Sequence, residues 1–160
     1  MGVKKGNSLI QNYGQKISLE YLRDTIVIVD LFYLLHKFIR LDLSNPLYYI
    51  LEVINLIEKF NYYGITPIFV IDGKPPIEKT TKLKKAREKS TVKLTALLNS
   101  DEITTDTKKT DSLLKKSLCV TPKHICECKE LFNRLGCLYI HINNCEGDTI
   151  IAELASLLQK

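Results

Sequence analysis

Apolar positions along this chain fall into two alternating rhythms. Thr25-Ile26-Val27-Ile28-Val29 is a β-branched run closed by Asp30, the pattern of a buried parallel strand. A helical stretch follows over 31–40, and Asn45-Pro46 breaks it, with Pro46 placed to open the next helix. In that helix Leu47, Ile50, Leu51, Ile54 and Ile57 form one apolar stripe, and Gly64 stops it. Thr66-Pro67-Ile68-Phe69-Val70-Ile71 is a second strand, ending in Asp72, with Pro67 near its start, where a missing N–H is tolerated. Thr121-Pro122 supplies an N-cap and a first-turn proline for a helix that reaches Leu135 and ends at Gly136. Leu138 to Ile142 is a third strand, and a helix runs from Asp148 to Gln159. Strands alternating with helices predict an α/β fold on a parallel sheet with right-handed crossovers.

The stretch from Gly73 to Ser117 breaks the rhythm. It is charged, poor in aromatics and Ser/Thr/Asp-rich from Asn99 onward, and it reads as a long excursion with surface helices and a mobile tip. The net charge of +5 is concentrated in it. Between Lys74 and Lys93 eight basic residues stand against two acidic ones, Glu78 and Glu88. A run of this kind is either a solvated helix face or a nucleic-acid contact. With 45% hydrophobic and 26% charged residues the chain is of ordinary globular composition. No apolar run approaches the ~20 residues of a membrane helix, and the N-terminus lacks the apolar core of a signal peptide. An intracellular protein with no membrane partner is expected. The five cysteines are odd in number and without paired zinc spacing, so they read as free thiols.

Ligands of parallel α/β sheets bind beyond the carboxyl ends of the strands. Asp30 closes the first strand, Asp72 closes the second, and Glu146 and Asp148 follow the third. Four carboxylates meeting at one sheet edge repel one another unless a cation neutralises them. Hard oxygen donors at that density call for Mg²⁺, with Mn²⁺ as an alternative. A single aspartate at a strand end is an ordinary cap or turn former; four in equivalent places are not.

Beyond these patterns, several segments resemble the flap endonuclease/XPG family of structure-specific nucleases. Met1-Gly2-Val3 with Leu9-Ile10 is similar to the family's start. Val29-Asp30 followed by Leu34-Leu35-His36-Lys37-Phe38 resembles its first metal aspartate and helix. Pro67 through Pro76, with Asp72-Gly73-Lys74-Pro75-Pro76 at its end, is close to the P-x-x-V-F-D-G-x-P-P signature. Val120-Thr121-Pro122, Glu127 to Leu131, Leu135-Gly136 and Tyr139 resemble the helix and strand before its acidic loop. That loop reads E-A-E-A in the family and Glu146-Gly147-Asp148-Thr149 here, which keeps the charge and shortens the second side chain by one methylene.

The resemblance implies a PIN-like/XPG nuclease fold over residues 1–160, with 74–117 as a basic helical arch. It implies a metal-dependent endonuclease or 5′ exonuclease cutting DNA phosphodiesters at single-strand/duplex junctions in replication, repair or recombination. Asp30, Asp72, Glu146 and Asp148 would hold the first of two Mg²⁺ ions, with Asp148 bridging toward the second. Lys79 would contact the scissile phosphate, and Lys82, Lys84, Lys85, Arg87 and Lys89 would draw in a single strand. The family's arginine position falls at Ala86, between Lys85 and Arg87. Gly2 would lie against the DNA, although methionine removal accounts for it equally well. The family's further metal aspartates and its duplex-gripping element, which come after the acidic loop, are absent from these 160 residues. The C-terminal part of the nuclease is therefore expected to be missing, and with it the sequence through which a sliding clamp would be contacted. The implied location is the nucleus of a eukaryote or a viral replication compartment. The alternatives are a PIN-like ribonuclease, which the basic excursion disfavours, and an inactive nucleic-acid-binding scaffold.

Overall fold

The computed structural model describes residues 11–73, 92, 118–143 and 145–158. The order of its elements is a short 3-10 helix Leu19–Leu22, β1 (Ile26–Asp30), α1 (Leu31–Phe38), α2 (Tyr48–Tyr62), β2 (Thr66–Ile71), α3 (Pro122–Leu135), β3 (Leu138–His141) and α4 (Gly147–Leu158). The strands lie in the order β1-β2-β3 and all pairs are parallel. Asp30 stands beside Val70, and Ile71 stands beside His141. The α/β architecture is the one the alternating rhythm predicts, and Pro67 sits second in its strand.

Strand alternation divides the side chains between two faces. Val29, Phe69 and Ile71 belong to the main core with Leu31, Leu35 and Phe38 of α1, Val53, Ile57 and Phe60 of α2, and Cys128 and Phe132 of α3. Phe69 and Phe132 stack with ring centroids 4.4 Å apart. Val70 points the other way, toward α4, where Ile150 is also buried. No polar or charged residue is buried among the described residues. The Tyr49 hydroxyl donates to Glu127, tying α2 to α3 beside this core.

The stripe expected on α2 is rotated. Tyr49, Val53, Ile57 and Phe60 are the buried face, while Leu47 and Leu51 are exposed. The two readings share Ile57, and the observed one buries two aromatic rings, which remove more apolar area from water than leucines do. The helix also opens later than Pro46, after a turn in which the Asn45 side chain accepts from the Leu47 N–H. It ends at Gly64, whose φ of +68° suits a residue without a Cβ. Thr121 caps α3 as expected, and His124 completes a reciprocal box: Thr121 N–H donates to His124 Nδ1 at 3.0 Å.

Candidate metal centre at the sheet edge

Asp30 ends β1 and Asp72 directly follows the last residue of the neighbouring parallel strand β2, so both stand at the carboxyl edge of the sheet. Both also share strand parity with Val70 or its register partner, which turns them toward the α4 side. Each is held by a backbone N–H. Asp30 caps α1, its Oδ1 accepting from Tyr33 at 2.9 Å. Asp72 Oδ1 accepts from Gly147 at 2.6 Å. That second bond joins the loop after β2 to the first turn of α4, whose positive dipole end favours a carboxylate.

A backbone bond in the opposite donor sense closes the two loops on each other: Gly73 N–H donates to the Cys145 carbonyl at 3.0 Å. Any Cβ on Gly73 would collide with the Ile142 carbonyl and lie 2.7 Å from the Asn143 backbone. Glycine is therefore required there by space. Gly147 meets a side chain instead of backbone: a Cβ on it would fall on Asp72 Oδ1 and push that carboxylate aside.

Asp72 is the electrostatic centre of this edge. Burial pushes its carboxyl above the ordinary carboxylate range, the Gly147 N–H pulls it back, and the charges of Asp30, Asp148 and Glu146 push it up further. Three of the four sequence-selected carboxylates thus act on the fourth. Asp30 and Glu146 are half-buried and Asp148 is exposed. The donor set fits a hard divalent cation in its chemistry: all oxygen, all anionic, and repelling in its absence. In geometry the set is open, because among the described residues no three His, Cys, Asp or Glu side chains close around a point that could hold an ion. A cation here would have to draw the carboxylates in or complete its shell with water.

Gly2, Lys79, Lys82, Lys84, Lys85, Arg87 and Lys89, with the expected arch over 74–117, lie outside the described residues apart from the single residue Val92. The sequence reading missed the parts that hold the carboxylates in place: the Tyr33 and Gly147 amides and the absent Cβ atoms of Gly73 and Gly147. A signal for one of them was present, a glycine between two acids in the loop after β3. At the end of β3, Lys129 Nζ lies 2.7 Å from His141 Nδ1; burial and then the Lys129 charge hold this imidazole below its usual range. The five cysteines are free thiols. Cys126 and Cys128 point to opposite sides of α3, one exposed and the other fully buried with its thiol pushed up to about 12 by desolvation. No helix among the described residues is long and apolar enough to cross a membrane.

Comparison with known proteins bears on the same residues. The sequence model of the XPG N-terminal domain matches residues 1–93, a span that includes Asp30 and Asp72. The chain is 35% identical over 92 residues to flap endonuclease 1 of Anoplopoma fimbria, covering 58% of this chain and 24% of that protein. It is 28% identical over 177 aligned positions to flap endonuclease 1 of Caldivirga maquilingensis, covering 98% of this chain and 47% of that protein. A solved structure of the catalytic core of Rad2 in complex with DNA substrate superimposes with a TM-score of 0.68 at 26% identity, covering 98% of this chain and 41% of that one. The chain thus spans less than half the length of these relatives.

Proposed function

Because the chain belongs to the XPG N-terminal domain family, we propose that it is the metal-binding part of a structure-specific DNA nuclease. Its substrates would be phosphodiesters at junctions of single-stranded and duplex DNA, met in replication, repair or recombination. The observation that carries this reading is the placement of Asp30 and Asp72 at the carboxyl edge of a parallel sheet, with the Gly147 N–H joining Asp72 to the turn that carries Glu146 and Asp148. The relatives named flap endonuclease and the DNA-bound Rad2 core support the choice of substrate.

Asp30, Asp72, Glu146 and Asp148 would hold Mg²⁺, or Mn²⁺ in its place, with a second ion in the complete enzyme. Bound there, the metal would supply an activated water and neutralise charge on the phosphate. The chain's own residues do the preparatory work. The Tyr33 and Gly147 amides each hold one oxygen of an aspartate in place. The double contact between the loops keeps Asp72 beside Glu146 and Asp148. Lys79 would stabilise the phosphate, and Lys82, Lys84, Lys85, Arg87 and Lys89 would guide the strand, with Gly2 against the DNA. A sliding clamp as partner, and a nuclear or viral replication compartment as location, belong to this proposal.

The test is cleavage of a 5′-flap DNA by the full-length protein in Mg²⁺. Asp72→Ala is expected to lower the single-turnover rate about a thousandfold or more while DNA binding is retained. Turnover comparable to wild type in that variant would remove the proposed site.

A further inference from the structure

Gly147 and Asp148 depart together from the alanine and glutamate of the acidic-loop pattern given above, and the geometry gives the two departures one meaning. The Gly147 N–H reaches Asp72 Oδ1 at 2.6 Å. A Cβ on Gly147 would fall on that oxygen, 3.2 Å from Asp72 Cγ and 3.7 Å from Val70 Cγ1. The first turn of α4 therefore sits nearer to Asp72 than a residue with a Cβ could come without displacing the Asp72 carboxylate. Asp148 is the next residue along the same turn, and its carboxylate stands one methylene closer to its backbone than a glutamate's would. A missing Cβ and a missing methylene are both about 1.5 Å in size, and they act in opposite senses. The first brings the backbone toward Asp72, and the second withdraws the carboxylate from it.

We infer that Gly147 is a positioning residue for the cation site, and that its missing side chain compensates the shortened reach of Asp148. This rests on the reading of Asp72, Glu146 and Asp148 as cation ligands. Gly147→Ala displaces the Asp72 carboxylate and withdraws the acidic turn, leaving Asp148 short. Asp148→Glu alone makes the second carboxylate overreach. Together the two substitutions restore the spacing at a greater separation of the loops. The three nearest atoms that a Cβ on Gly147 would meet are side-chain atoms of Asp72 and Val70. The nearest is the movable tip of the Asp72 side chain, so the variant can fold by shifting that carboxylate.

The experiment is a double-mutant cycle read by Mn²⁺ binding, using the electron paramagnetic resonance of free Mn²⁺ without any substrate. Gly147→Ala is expected to weaken Mn²⁺ binding about tenfold, the size typical of groups that orient metal ligands. Asp148→Glu is expected to weaken it by several-fold, and the double variant to return within about threefold of wild type, the signature of coupled neighbours. Losses that multiply in the double variant would overturn the inference while leaving the cation site intact. So would an equal change in melting temperature from Gly147→Ala in an Asp72→Ala background, where the displaced group is gone. Failure of the wild type to take up Mn²⁺ would overturn the metal reading itself, and this inference with it.

Discussion

The interior of β2 and the residue that follows it live under opposite rules. Within the strand, Phe69 and Ile71 are fully buried among apolar side chains from α1, α2 and α3, and nothing there carries charge. One residue later, Asp72 faces three other carboxylates and a single amide donor. The interior lowers the free energy of the fold, and the edge raises it. The difference teaches where stability is used: a dry, close-packed face holds a repelling cluster in place that would otherwise spread. Substitutions on the two sides should therefore have effects of opposite sign.

The largest effect is expected in the interior. Phe132→Ala removes the ring stacked on Phe69 and leaves a cavity between α3 and the sheet, at a cost of about 3–5 kcal/mol in unfolding free energy. Urea denaturation measures it, and a loss below about 1 kcal/mol would mean that this face is not the packed core.

At the edge the sign reverses. Asp72→Asn keeps an acceptor for the Gly147 N–H and removes one of four like charges. Without divalent ions it is expected to raise the melting temperature near pH 7 by about 2–4 °C. The pH dependence follows from the raised carboxyl of Asp72. Folding favours its protonated form, so the associated stability is present below the ordinary carboxylate pKa of 3.8 and is lost as pH rises through the higher folded value. Wild type should lose stability relative to Asp72→Asn across that window, and parallel melting curves would contradict the burial and repulsion that raise this carboxyl.

A smaller effect belongs to the helix cap behind the core. His124 is held below its usual range by burial first and the Lys123 charge next, against an opposing pull from Glu127. Its neutral Nδ1 accepts from the Thr121 N–H, and its ring packs edge-on to Tyr49. The stability it contributes is present above its ordinary pKa of 6.5 and is lost as pH falls through the lowered folded value. Its neighbour in this behaviour is His141, also depressed. Melting temperature should fall by a degree or two on acidification below that range, and less in His124→Gln. An identical slope in the variant would assign the change elsewhere.

The sheet was legible because its strands are continuous β-branched or aromatic runs, each ended by an acid or a loop, and because proline and glycine mark the helix limits at Pro122, Gly64 and Gly136. The orientation of α2 was not. Apolar residues occupy more than one of its faces, and only the partners supplied by α3 and β2 decide that Tyr49 and Phe60 turn inward and Leu51 outward. The four carboxylates could be named from strand order alone. The amides and glycines that hold them could not, because a backbone N–H carries no mark in a sequence and the space for a Cβ depends on a loop seventy residues away. Gly73 and Gly147 acquire their meaning only when the loops after β2 and β3 lie against each other.

The claim that joins these observations is that the carboxyl edge repels itself until a divalent cation binds. Thermal unfolding of the 160-residue chain with and without Mg²⁺, beside Asp72→Asn, tests it most directly. At ten times its dissociation constant a bound ion stabilises by about 1.4 kcal/mol, about 3–6 °C for a chain of this size. The account predicts that rise in the wild type and little or none in Asp72→Asn, which starts from the higher value. No response in the wild type, or an equal response in both, would contradict it.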